Sequence, residues 1–360
     1  MEIAEKKQRL LSLDVLRGLT VAGMILVNNG GPTSYSPLRH ATWNGLTIAD
    51  LVFPFFLFMV GISTYISLQK FEFKSSGSTI RKVLKRTLII LLLGWGLYWF
   101  ESCLKGDFLP FDHLRIPGVL QRIALCYGIV SLVAISVDHK RFPWLIGGLL
   151  VGYTIVLLAG NGYVCDTSNI LSIIDKRLLG EAHVYHKSPV DPEGLLGILP
   201  SIAHTLIGFW CGRLLMQFKR LDEKMLHLFL FGFILMLLGL ALSYGLPFNK
   251  RIWSPSFVLF TCGLSASLLA LLIYVIDFKG KKRWTPFLIV FGVNPLFIYI
   301  LSEILAAIFN QFQVSKVTYE MIAATIPDPY LSSLIYAISF VVLNWLVGYP
   351  LYKKKIYIKI

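Results

Sequence analysis

Charge is scarce in this 360-residue chain. Only 15% of it is Asp, Glu, Lys or Arg, against about a quarter in an ordinary soluble domain, so a single soluble globule fits poorly. Polar low-complexity sequence is missing too: 56% of the residues are hydrophobic, too much apolar surface for a chain that stays disordered in water. Acidic residues are the scarcer charges, 20 against 34 Lys and Arg, which leaves a net charge of +14. Nucleic-acid binding would need that excess on one basic face of a soluble fold. Here the Lys and Arg stand in short clusters between long apolar runs, so no nucleic-acid partner is expected. Cysteines number five. Cys126, Cys211 and Cys262 fall in apolar runs, where a thiol acts as a small hydrophobe. Cys103 and Cys165 fall in segments assigned below to one side of a membrane, where a disulfide could persist, although spacing alone does not fix its geometry. No Cys/His set has structural-zinc spacing, and no Walker loop, G-x-S-x-G elbow or H-E-x-x-H is present. No metal is expected.

What the chain has in abundance is apolar length. A helix needs about 20 apolar residues to cross a hydrocarbon core of ~30 Å and must satisfy its backbone internally. Windows 18–38, 51–69, 142–160, 194–212, 252–276 and 331–352 meet this without a charge. Windows 83–102, 118–137 (with Arg122), 225–244 (with His227) and 284–304 (with Glu303) meet it with polar intrusions. This predicts an all-α polytopic membrane protein of about ten spans, a single integral membrane domain over 1–360. With the N-terminus inside, the inner segments hold 23 Lys and Arg and the outer ones 9, so both termini are expected to be cytoplasmic. The first apolar stretch reads as an uncleaved anchor. Only 161–193 and 310–330 are long outer loops.

Polar groups at membrane depth are expensive and point to function. The richest region runs from Asn28, near the outer end of the first span, through Gly30, Gly31 and Pro32, which end that helix, to Asp50 at the start of the second. Its segment through Asn44 is too apolar for a solvated loop and is expected to fold back into the protein. His40 is the leading catalytic candidate, because imidazole exchanges protons near neutral pH. The competing reading is a loop histidine bonded to a backbone carbonyl. Asn28 can hold a developing oxyanion or make an interhelical hydrogen bond. Asp50 can cap its helix. Arg122 and Glu193 converge on the same side, with Arg122 paired to Glu193 or Glu303 as the structural alternative to substrate contact. Asn294-Pro295 is expected to break the ninth span. His204 reads as a packed histidine, His183 and His186 as solvated loop residues. Asp14 and Arg17, at helical spacing near the inner face, either pair or meet phosphates. Composition and topology stop at a polytopic protein with a polar cavity opening outward, for which transport is the default.

Longer motifs add to this. The run SLDVLRGLTVAGMILVNNGG…LRHATWNGLTIADLVFPFFLF, with FDHLRIPGVLQR at 111–122, the stretch 175–202, FNKRIWSPSFV at 248–258, and the stretches 279–287 and 351–360, strongly resembles the heparan-α-glucosaminide N-acetyltransferase family. The resemblance covers nearly the whole chain, without the N-terminal luminal domain of the animal enzyme, as in a short bacterial inner-membrane relative. It implies transfer of acetyl from cytosolic acetyl-CoA to the amine of a glucosamine-containing acceptor across the membrane. The family's active-site histidine falls on His40 and its functional asparagine on Asn28. For that reaction, Asn44, Asp50, Arg122, Glu193 and Asn294 are expected to hold the acceptor and Arg17 and Asp14 to lie near coenzyme A, with membrane lipid around the bundle; the resemblance also suggests a homodimer. Direct transfer and an acetyl-histidine intermediate are both open. An amino-sugar transporter of the inner membrane is the alternative function.

Overall fold

The structure is a computed structural model and describes residues 10–358. Lys6, Lys7, Arg9 and Lys359, which entered the charge count, lie outside the described residues, as does the end of the 351–360 motif. Every regular element among the described residues is helical. In chain order these are α1 Leu11–Asn28, α2 Ile48–Gln69, α3 Gly77–Leu104, α4 Val119–Ser136, α5 Phe142–Ala159, α6 Ile170–Leu179, α7 Ile198–Gln217, α8 Leu221–Ser243, α9 Pro255–Leu272, α10 Thr285–Val293, α11 Pro295–Gln311, α12 Val314–Thr325 and α13 Pro329–Lys353. Among the described residues nine helices are long and apolar enough to cross a membrane, and α10 with α11 form a tenth candidate bent by 85°.

The exposed faces match that reading. Leu84, Leu88 and Leu92 on α3, Val151, Ile155 and Leu158 on α5, and Phe233, Ile234 and Leu237 on α8 are all exposed. So much contiguous apolar surface is unfavourable in water but neutral against lipid tails. The interior belongs to α1, α2, α4, α7 and α9, where Leu16, Leu57, Ala124, Phe209 and Phe257 are fully buried. Helices α2 and α7 approach closely because Gly61 and Gly208 face each other's backbones. A Cβ at Gly61 would strike Thr205 and Phe209, and one at Gly208 would strike Phe58. This is the small-residue packing that replaces hydrophobic drive inside a membrane.

Helix ends differ from the sequence windows for local reasons. Helix α1 begins at Leu11, well before window 18–38, because the Asp277 carboxylate accepts from the N–H groups of Leu11 (3.0 Å) and Ser12 (3.2 Å). That cap arrives from a residue remote in sequence. The helix stops at Asn28, and the chain then runs irregularly, apart from one turn at Ser36–Leu38, to a capping box formed by Thr47 and Asp50 at the head of α2. Asn294-Pro295 does break the ninth span: Pro295 lacks the donor and excludes a helical turn before it. The two segments expected as long outer loops are not loops throughout. They contain α6 and α12, too short to register as spans, with α6 started by the Asn169 side chain accepting from Leu171 N–H at 2.9 Å. Cys103 and Cys165, like the other three cysteines, are free thiols.

Candidate active site

Asp50 organises the irregular segment. It is the third residue of α2, 1% exposed, and accepts four hydrogen bonds. One oxygen takes His40 Nδ1 at 2.9 Å. The other takes Ala41 N–H at 3.1 Å, Thr47 N–H at 3.1 Å and the Thr47 hydroxyl at 3.0 Å. A buried carboxylate needs this many donors to hold its charge, and the helix N-terminus adds to them. With Nδ1–H donating to Asp50, the assigned tautomer leaves the Nε2 lone pair of His40 available.

His40 and Asp50 line a cavity of about 240 Å³ together with Asn28, Glu193, Lys250 and Tyr299. Lys250 Nζ lies 3.1 Å from His40 Nδ1, 3.4 Å from Nε2 and 3.7 Å from Asp50 Oδ1. Burial pushes the Lys250 ammonium below the usual lysine range, while Asp50 and Glu193 work against that. The Asn28 amide and the Tyr299 hydroxyl lie next to the Glu303 carboxyl. Asn28, Tyr185 and Tyr299 also face a second chamber of about 420 Å³ holding Tyr98, Arg115, Gln121 and Glu303.

Glu193 is held by Arg115. The Arg115 Nη2 donates to Glu193 Oε2 at 2.8 Å and to Asp191 Oδ1 at 2.6 Å, with Nε at 3.3 Å from Asp191 Oδ2. This forked pairing fixes the carboxylate at the cavity rim. Arg122, read from sequence as the partner of Glu193 or Glu303, instead donates to the Gly194 carbonyl at 3.2 Å and stacks 5.2 Å over Trp253, behind the cavity wall. Asn44 also sits off the wall. Its Oδ1 accepts from Asn249 Nδ2 at 3.1 Å, and Gly45 N–H donates to the Phe248 carbonyl at 2.8 Å. Together they staple the His40 segment to the turn carrying Lys250. His204 is fully buried and bonds the Pro54 carbonyl at 2.9 Å, as a packed histidine should.

On the opposite half of the bundle, a chamber of about 390 Å³ is lined by Arg17, Ser63, Arg86, Tyr127, Asn294 and Ile358. Arg17 donates to Ser63 Oγ at 2.9 Å and to Asp14 Oδ1 at 3.3 Å. Asp14 thus stands behind the wall and Arg17 on it. Asn294 faces this chamber, away from His40, and spends its amide on the tail: Nδ2 donates to the Ile356 carbonyl and Oδ1 accepts from Ile358 N–H, both at 2.9 Å. Between the chambers lies a void of about 10 Å³ whose wall residues Met24, Val119 and Tyr299 also line the His40 cavity, and whose Phe56, Ile123 and Leu296 also line the arginine chamber. Arg17 and Asn28 are eleven residues apart on α1, which is ~16 Å of helix.

Sequence reasoning did not find Lys250, Tyr185 or the Arg115 fork. A signal existed for the first: Lys250-Arg251 is a basic pair on the side otherwise poor in Lys and Arg.

Fold and site together define an integral membrane protein of many helices, with an acid–base pair at one end of a divided cavity. The description "Heparan-alpha-glucosaminide N-acetyltransferase, catalytic" matches residues 9–241, and the chain belongs to that family. The heparan-alpha-glucosaminide N-acetyltransferases of Homo sapiens and Mus musculus are each 29% identical to it, over 98% of this chain and 60% of their own length. The chain thus spans about three-fifths of these relatives.

Proposed function

We propose that this protein is a transmembrane acetyltransferase that carries acetyl from cytosolic acetyl-CoA to the amine of a glucosamine-containing acceptor on the other side of the membrane. The excess of Lys and Arg on the segments opposite the His40 loop supports a cytoplasmic placement of the arginine chamber and of both termini. A bacterial inner membrane, with the acceptor side facing the periplasm, fits this arrangement. The observation that carries the reading is the His40–Asp50 pair in a cavity that is separated from an arginine-lined chamber on the opposite half by a small apolar void sharing wall residues with both.

Each residue has a task in this reading. Arg17 and Arg86 offer guanidinium groups to the phosphates of coenzyme A, leaving its thioester arm to reach that void. His40 Nε2 takes a proton from the amine as it attacks, and Asp50 holds the ring in the tautomer that can do so. The acceptor nitrogen forms its bond to the acetyl carbon, the carbon–sulfur bond breaks, and the thiolate leaves with the proton His40 returns. The Asn28 amide, on the wall of the same cavity, supplies a donor for the oxyanion. Glu193 and Tyr185 present acceptor and donor groups to sugar hydroxyls.

Purified protein in detergent is expected to acetylate glucosamine from acetyl-CoA. His40→Ala is expected to lower the rate by about 100-fold or more with a thermal midpoint close to that of the parent. Normal turnover by that variant overturns the role of His40. Uptake of labelled glucosamine into vesicles that is indifferent to acetyl-CoA overturns the enzyme reading in favour of an amino-sugar transporter.

A further inference from the structure

Lys250 lies in the turn between α8 and α9, and that turn is over-determined. Asn249 Oδ1 accepts from Ile252 N–H at 3.1 Å, and Asn249 N–H donates to Ser254 Oγ at 3.1 Å. Trp253, 1% exposed, is held at φ 54, a left-handed conformation that costs a bulky residue about 1–2 kcal/mol. Arg122 covers its ring on one side and Phe53 packs edge-on at 5.2 Å. The Asn44–Asn249 bond then ties the turn to the His40 segment. A backbone so constrained keeps a long, rotamer-rich lysine in one place, with 18% of its side chain exposed.

The position is informative. Lys250 Nζ is nearly equidistant from the two ring nitrogens of His40, at 3.1 and 3.4 Å. A donor aimed in the ring plane at one nitrogen would be much farther from the other, so the ammonium lies over the face of the imidazole. The in-plane position at Nδ1 is already taken by Asp50. The ring is therefore flanked by a carboxylate that favours the imidazolium and an ammonium that opposes it. The other groups facing the same cavity are Glu193, Arg251, Tyr185 and Tyr299; Glu193 is committed to Arg115.

We infer that Lys250 is a positioning residue that acts through His40: its ammonium, held over the ring face, opposes the charge that Asp50 favours on the imidazole during proton transfer. This rests on the proposed acetyl transfer.

The test compares the full-length protein with Lys250→Met and Lys250→Arg in detergent, following acetyl transfer to glucosamine from pH 5 to pH 9. The acceptor amine titrates identically in all three, so a difference in the acid limb belongs to the enzyme. Lys250→Met is expected to move the acid limb upward by about one unit or more, with activity recovered at high pH, while Lys250→Arg keeps the limb near the parent's. A loss of rate in Lys250→Met with an unmoved limb overturns the inference. A readout independent of acetyl transfer separates this from failure of the enzyme reading. Diethylpyrocarbonate modifies neutral imidazole, and the pH dependence of modification at His40, read by mass spectrometry, is expected to shift upward in the same variant. If Lys250→Met does not fold, Lys250→Gln is read in the same two ways, and superimposable modification curves count against the role.

Discussion

Asp175 carries a charge where the fold least favours one. It is 1% exposed on α6, with Oδ1 accepting from Leu195 N–H at 2.8 Å and Oδ2 without a partner. Burial raises its pKa to about 6, and the Asp191 charge adds to this, against the Leu195 hydrogen bond and Arg122. An acid whose folded pKa exceeds its unfolded value binds more protons when folded, so stability falls as pH rises between the two. The penalty is absent below about 4, the unfolded carboxyl value, and complete above about 6. Its upper bound is ~3 kcal/mol at ~1.4 kcal/mol per unit. Asp175→Asn, which keeps an acceptor for Leu195, is expected to raise the thermal midpoint at pH 8 and to lose that advantage as pH falls toward 4. A midpoint gain that does not vary with pH would show that the charge is not the cause.

At the scale of elements, the break between α10 and α11 aims Asn294 at the tail that follows α13. The two hydrogen bonds to Ile356 and Ile358 hold this tail across one wall of the arginine chamber. Asn294→Ala removes both, at roughly 1 kcal/mol each, and frees the wall. The expected outcome is a several-fold rise in KM for acetyl-CoA with little change in KM for the acceptor, measured in steady-state kinetics. The break itself was legible in the sequence, because proline chemistry is local. What it positions was not, since the tail's partner lies 62 residues away. The same division runs through the site. His40 and Asp50 are ten residues apart and could be placed together from the motif and the helix start. Lys250 is 210 residues from His40 and is brought to it by the Asn44–Asn249 and Gly45–Phe248 bonds. Arg115 lies in the irregular segment before α4 and Arg122 in the first turn of that helix, so choosing the partner of Glu193 required knowing how the segment enters the helix. Helices α6 and α12 escaped because a span-length apolar window is blind to short amphipathic pieces.

For the whole molecule, the division of one cavity into two chambers is the feature on which the proposed chemistry depends. The ring between them, Met24, Phe56, Val119, Leu120, Ile123, Leu296 and Tyr299, is nearly all hydrocarbon. Leu120→Trp would fill it. Such a variant is expected to bind coenzyme A with the parent's affinity, measured by calorimetry, and to lose acetyl transfer by about 100-fold or more, because a misplaced reacting group costs about that much. Retained transfer would mean that the two substrates meet by some other route. The collar also bears on what such a protein does to the bilayer that contains it. Any duct joining two aqueous compartments threatens the electrical insulation of the membrane, since hydrated ions would follow whatever else passes. An oily girdle this small suits a small acyl group on the end of a flexible arm, yet offers a sodium ion or hydronium nothing to replace its shell of water. On the proposed reading, chemistry crosses the barrier while the voltage stays intact.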